Sequence, residues 1–90
     1  MKEELFWECS YEDGITKILS STTDNYLLEL YIDFGKEDYE GTLIVKEIGY
    51  DSILFQEEIS FVYDEHEDID NTMISWAEDV FATLKCTVTL

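Results

Sequence analysis

The sequence predicts an α+β domain, an antiparallel sheet of four to five strands covered by one C-terminal amphipathic helix. Two observations carry that expectation. Between Tyr26 and Tyr63, apolar residues recur at every second position in segments separated by glycines and polar turns, the period of half-buried strands. From Ile69 onward the spacing changes to three and four, the period of a helix with one apolar stripe. The absence of proline, internal repeats and low-complexity tracts fits one continuous unit, a single acidic domain over residues 1–90.

In the first segment Leu5, Trp7 and Cys9 alternate with Phe6 and Glu8, and Asp13-Gly14 would turn this strand into a second one from Ile15 to Ser20. A helix starting at Ser10 competes with the hairpin, because Ser10 and Asp13 resemble a capping box and Ile15, Ile18 and Leu19 have helical spacing. Gly14 and the β-branched Ile15 and Thr16 favour the hairpin. Tyr26 to Phe34 is the clearest strand, with Tyr26, Leu28, Leu30, Ile32 and Phe34 on one parity. The segment Gly35 to Gly41 reads as a hairpin loop leading into a strand from Thr42 to Ile48, and Gly49 to Ser52 as the next turn. A further strand runs from Ile53 to Tyr63; Glu57 interrupts its apolar parity, which predicts a bulge or register change near Gln56 to Glu58. In the helix, Ile69, Met73, Trp76, Ala77, Val80 and Leu84 form the stripe, with Asp68, Asp70 or Asn71 as cap and Lys85 near the C-terminal end. The alternating Cys86 to Leu90 reads as a short returning strand.

A content of 46% hydrophobic and 14% aromatic residues supplies a core, so the acidity does not imply disorder. The charge is the outlying quantity. Twenty-two Asp and Glu against five lysines give a formal net charge of -17, whereas solubility asks a small domain for a magnitude of roughly 2 to 8. The excess costs stability through self-repulsion, which favours a use for it. A compact chain of this length has a diameter of roughly 30 Å, and duplex DNA of that length carries on the order of 18 phosphates. Direct binding of nucleic acid is disfavoured, because Lys2, Lys17, Lys36, Lys46 and Lys85 stand singly among acids. No apolar run approaches the length of a membrane span, and the start M-K-E-E-L-F-W-E-C lacks a secretory signal's apolar stretch, which together predict a cytosolic protein. In that compartment Cys9 and Cys86 read as buried thiols.

Chemistry-bearing patterns are sparse. The acidic run from Asp64 to Asp70 lacks the glycine of a calcium loop, and His66 stands alone as a nitrogen ligand for zinc. No glycine-rich phosphate loop or nucleophile elbow is present, so neither a cofactor nor an enzymatic activity is expected. What remains is interaction. Acids concentrate at Asp33 with Glu37 to Glu40, at Glu57 with Glu58, and from Asp64 to Asp70. If the sheet brings the first and third groups to one edge, Asp33, Glu37, Asp38, Tyr39, Glu40, Asp64, Glu65 and Glu67 form the partner-binding face, with Tyr31 and Tyr63 as further aromatic anchors. Glu78 and Asp79, away from the helix's apolar stripe, are expected to matter less.

In size, acidity and lack of catalytic motifs the chain is similar to phage-encoded inhibitors of bacterial defence, of the anti-CRISPR and anti-restriction type, and to the protein inhibitors of uracil-DNA glycosylase. That resemblance implies a non-enzymatic inhibitor that mimics nucleic acid and blocks the basic channel of a DNA- or RNA-handling enzyme in a bacterial host cytosol. The ending, a helix and then Cys86-Thr87-Val88-Thr89-Leu90, resembles that of the barstar family of nuclease inhibitors, although a tyrosine- and glycine-rich helix start is missing. It implies the alternative, an immunity protein or antitoxin that neutralises a cationic nuclease. Both readings name a basic protein as partner, and neither involves a membrane.

Overall fold

A computed structural model describes residues 5–64 and 68–88, with side chains through Leu84. Five strands, β1 (Glu8–Glu12), β2 (Thr16–Thr22), β3 (Tyr26–Phe34), β4 (Asp38–Glu47) and β5 (Ile53–Val62), precede one helix, α1 (Ile69–Val88). The strands lie side by side in chain order, each antiparallel to the next. The fold is thus α+β, an antiparallel five-stranded sheet packed against its C-terminal helix.

Short polar connections produce this meander. At the β1–β2 turn, Gly14 has a φ of 88°, a conformation costly for residues with a Cβ. The Asp13 carboxylate there accepts the amides of Ile15 at 3.0 Å and Thr16 at 2.8 Å. The hairpin reading of this segment therefore holds, and the strand of the pair begins at Glu8. At the β2–β3 turn the Thr23 hydroxyl accepts the Tyr26 amide at 3.1 Å.

One sheet face carries the core. Leu19, Leu28, Leu30, Ile32, Tyr39, Leu43 and Val45 are buried there against Met73, Ala77 and Phe81 of α1. The Tyr26 and Phe81 rings meet edge to face with centroids 5.8 Å apart. Gly41 sits in the same layer because a Cβ there would fall 2.0 Å from the Met73 methyl, and Met73 is fully buried. At the helix start Asp68 is the cap: its Oδ1 accepts the Asn71 amide at 3.3 Å and its carbonyl accepts that of Thr72 at 2.9 Å.

Four expectations need correction. β4 begins at Asp38, so Asp38 to Gly41 belong to a strand and not to a loop. The β5 bulge lies at Leu54, where Phe55 pairs with Val45 and Ile53 with Lys46; Gln56 to Glu58 keep regular register. Glu57 can share the parity of the apolar residues because the helix does not seal this edge, and it stays exposed. Cys86 to Val88 continue the helix, and Thr89 and Leu90 lie outside the described residues. Cys9 is exposed, since the whole of β1 is an exposed edge strand; the Cys86 side chain lies outside the description.

Lys17 fastens the helix start to the sheet. Its ammonium pairs with Asp70 and lies 3.8 Å from Glu12, and its side chain is only 16% exposed. The hydrogen bond to Asp70 raises its pKa above the ordinary 10.5, desolvation opposes the shift, and the charges of Asp70 and Glu12 add to it. Because the folded pKa is raised, the contribution is complete below 10.5 and is lost as pH rises through the shifted value. Lys17→Met should therefore be less stable than the parent by about 1 kcal/mol at neutral pH. Urea titrations should show that gap closing in strong alkali, and a gap independent of pH would contradict the role.

Candidate functional site

Strand parity leaves the second sheet face uncovered by the helix. Across it run two rows of paired positions, Thr16–Asp33–Glu40–Ser60 and Tyr11–Ile18–Tyr31–Thr42–Glu58. Asp33 and Glu40 are direct cross-strand partners, a placement in which like charges destabilise a sheet. The Thr16 hydroxyl donates to Asp33 at 2.9 Å. Among the described residues, none of the ion pairs involves Asp33, Glu37, Asp38 or Glu40.

Glu37 and Asp38 are exposed where β3 passes into β4. The end of β5 is tied to that connection: the Tyr63 hydroxyl donates to the Gly35 carbonyl at 2.8 Å, and its amide to the Glu37 carbonyl at 3.5 Å. Exposed Asp64 follows directly. The structure therefore brings Asp33, Glu37, Asp38, Glu40 and Asp64 to one end of the sheet, while Glu65 and Glu67 lie outside the described residues.

Tyr39 does not join that surface. It is fully buried on the helix face, with ring centroids 5.6 Å from Phe61 and 5.3 Å from Tyr63. Its parity with Gly41, Leu43 and Val45 turns it inward once β4 is extended back to Asp38. Tyr31 remains on the open face, half-buried.

Glu57 and Glu58 separate. Glu58 pairs with Thr42 on the open face, diagonal to Glu40 at about 7–8 Å between their backbones. Together with Thr42 and Ser60 these two glutamates rim a shallow depression of about 270 Å³ floored by Gly41 and Ile59. Sequence reasoning left Glu58 out of the face, although alternation along β5 carries the signal. Glu57 points to the helix side, beside Phe55, Val80, Thr83 and Leu84.

Other acids have internal partners. Asp13 holds its turn, and its carboxyl lies below the usual range because the Tyr11 hydroxyl donates to it at 2.7 Å and the Thr16 and Ile15 amides add to this; the same contact raises the Tyr11 pKa. Glu29 pairs with Lys46 at 3.1 Å. Glu78, expected to be a bystander, accepts the Leu5 amide at 3.3 Å and the Trp7 indole N–H at 3.2 Å, fixing the segment before β1 to the helix. Glu78→Ala should cost about 1–3 kcal/mol and shift Trp7 emission to the red; unchanged melting and emission would show that the tether is dispensable.

The molecule measures 39 × 26 × 19 Å, so its long axis exceeds the roughly 30 Å expected of a compact sphere. Duplex DNA of 39 Å carries about 23 phosphate charges, so a net charge of -17 is some three quarters of the duplex density. Among the described residues no His, Cys, Asp and Glu group is placed to hold a metal ion, and no helix is long and apolar enough to cross a membrane. The chain matches no family model, no curated protein and no solved structure.

Proposed function

We propose that this protein is a non-enzymatic acidic inhibitor whose open sheet face and acidic end occupy the basic channel of a nucleic-acid-handling enzyme, as a phage anti-defence protein would. The direct opposition of Asp33 and Glu40, with no ion pair to either among the described residues, supports this reading most. Such a pair costs folding free energy, and a cationic partner surface turns that cost into attraction. Asp38, Glu37, Asp64 and Glu58 extend the negative surface around it, and Tyr31 adds a half-buried aromatic surface. Acids already engaged inside the fold, Asp13, Glu29, Asp70 and Glu78, play no part in the contact.

The test is competition. A basic nucleic-acid enzyme captured from bacterial lysate at low salt and released at high salt is mixed with labelled nucleic acid, and mobility shift follows its displacement. Displacement that weakens steeply as salt rises is the expected result. Simultaneous binding of protein and nucleic acid with unchanged affinities would remove mimicry and leave an adaptor role.

A further inference from the structure

The two edges of the sheet differ. β1 is five residues long, is broken by a bulge at Ser10, and is followed by a turn locked by Asp13. β5 is ten residues long, contains neither lysine nor proline, and among the described residues has β4 as its one strand neighbour; its bulge at Leu54 lies close to its start. Of the usual means of blunting an edge, short length, bulges, lysine and proline are absent from Phe55 to Val62; what guards it is negative charge, Glu57 on the helix side and Glu58 on the open face, which repels acidic strands and admits cationic ones. We propose that the free edge of β5 receives an extended segment of the basic partner as a sixth strand, with cationic residues at two successive positions.

Charge selects that occupant. Glu57 and Glu58 lie at the centre of β5 and project to opposite faces, so neighbouring Lys or Arg residues on an added strand reach one carboxylate each. Exposed Ile53 and Leu54 at one end, and Val62 at the other, suit apolar residues flanking the cationic pair. A groove of about 360 Å³ between Phe55, Glu57, Val80 and Leu84 offers a seat for one of them. A second copy of this chain is the wrong occupant. Antiparallel pairing of two β5 strands keeps their faces matched, so near-complete overlap sets Glu57 or Glu58 directly against its own counterpart, between molecules of net charge -17 each.

This inference rests on the proposed basic partner and is tested apart from it. The probe is a peptide of alternating Val and Thr with a central Lys-Lys and soluble ends, added to the full chain while amide hydrogen exchange is followed. Exchange of β5 amides should slow at least tenfold. Replacing Lys-Lys by Glu-Glu, N-methylating the peptide's docking edge, or introducing Glu57→Gln with Glu58→Gln should each weaken binding about tenfold, whereas N-methylation of the opposite edge should not. Equal binding of both methylated peptides, protection confined to β1 or to the Asp33–Glu40 region, or a dimer formed through β5 in sedimentation would overturn the proposal. Loss of nucleic-acid displacement in Asp33 and Glu40 variants, without β5 protection, would sink the edge alone and leave the proposed inhibitor standing.

Discussion

Asp33→Asn, Asp38→Asn and Glu40→Gln introduced together are expected to weaken capture of the basic partner about a hundredfold while raising the stability of the free protein. The two effects share one cause. In the free chain Asp33 and Glu40 oppose each other across β3 and β4, and in the proposed complex they would face cationic groups in a desolvated contact, where interface energy concentrates. Relief of the repulsion should add a few tenths of a kcal/mol up to about 1 kcal/mol. The matched control is Asp24→Asn, Glu47→Gln and Asp51→Asn, three exposed acids at the opposite end of the sheet. Calorimetry and thermal melts read both quantities. Equal losses of binding from the two sets would mean that only total charge matters, and a destabilised first set would deny the repulsion on which the reading rests.

The second large effect concerns Tyr39. Tyr39→Ala should remove about 3–5 kcal/mol of stability, as expected when a fully buried aromatic ring leaves a cavity. That is a large share of the roughly 5–15 kcal/mol by which domains are stable. Urea titration measures it. A loss below about 1 kcal/mol, accompanied by weakened partner binding, would return Tyr39 to the contact surface.

Tyr39 also shows where the sequence was readable. Alternation along β3 and the three-and-four spacing after Ile69 exposed the sheet and the helix, because burial on one face imposes those periods directly. The start of β4 was hidden by Gly35 to Gly41, whose glycines and acids read as a loop. Gly41 is there because Met73 occupies the space above it, a fact of tertiary packing with no local signature. A β4 that starts only at Thr42 deprives Tyr39 of its parity with Leu43 and puts it on the surface. The end of α1 misled for the opposite reason: Thr87 and Val88 favour strands locally, yet the helix continues through them. In the candidate site, the shared end of the acidic groups followed from hairpin topology. The division of acids into internal partners and surplus charge did not, since it depends on contacts such as Glu78 with Trp7 and Lys17 with Asp70, far apart in the chain.

The strictly sequential strand order has a consequence for how the molecule is assembled. Each strand interface closes a loop of only a few residues, so the entropy spent before the first contacts form is small and the sheet can zip outward from the β3–β4 hairpin. The long-range step is docking of α1, which is also the last of these elements to leave the ribosome. Until it arrives, Leu28, Leu30, Leu43 and Val45 face solvent on a bare sheet. Self-repulsion of a chain carrying a charge of -17 keeps such half-built molecules apart, so the same surplus that weakens the finished fold guards its synthesis against aggregation.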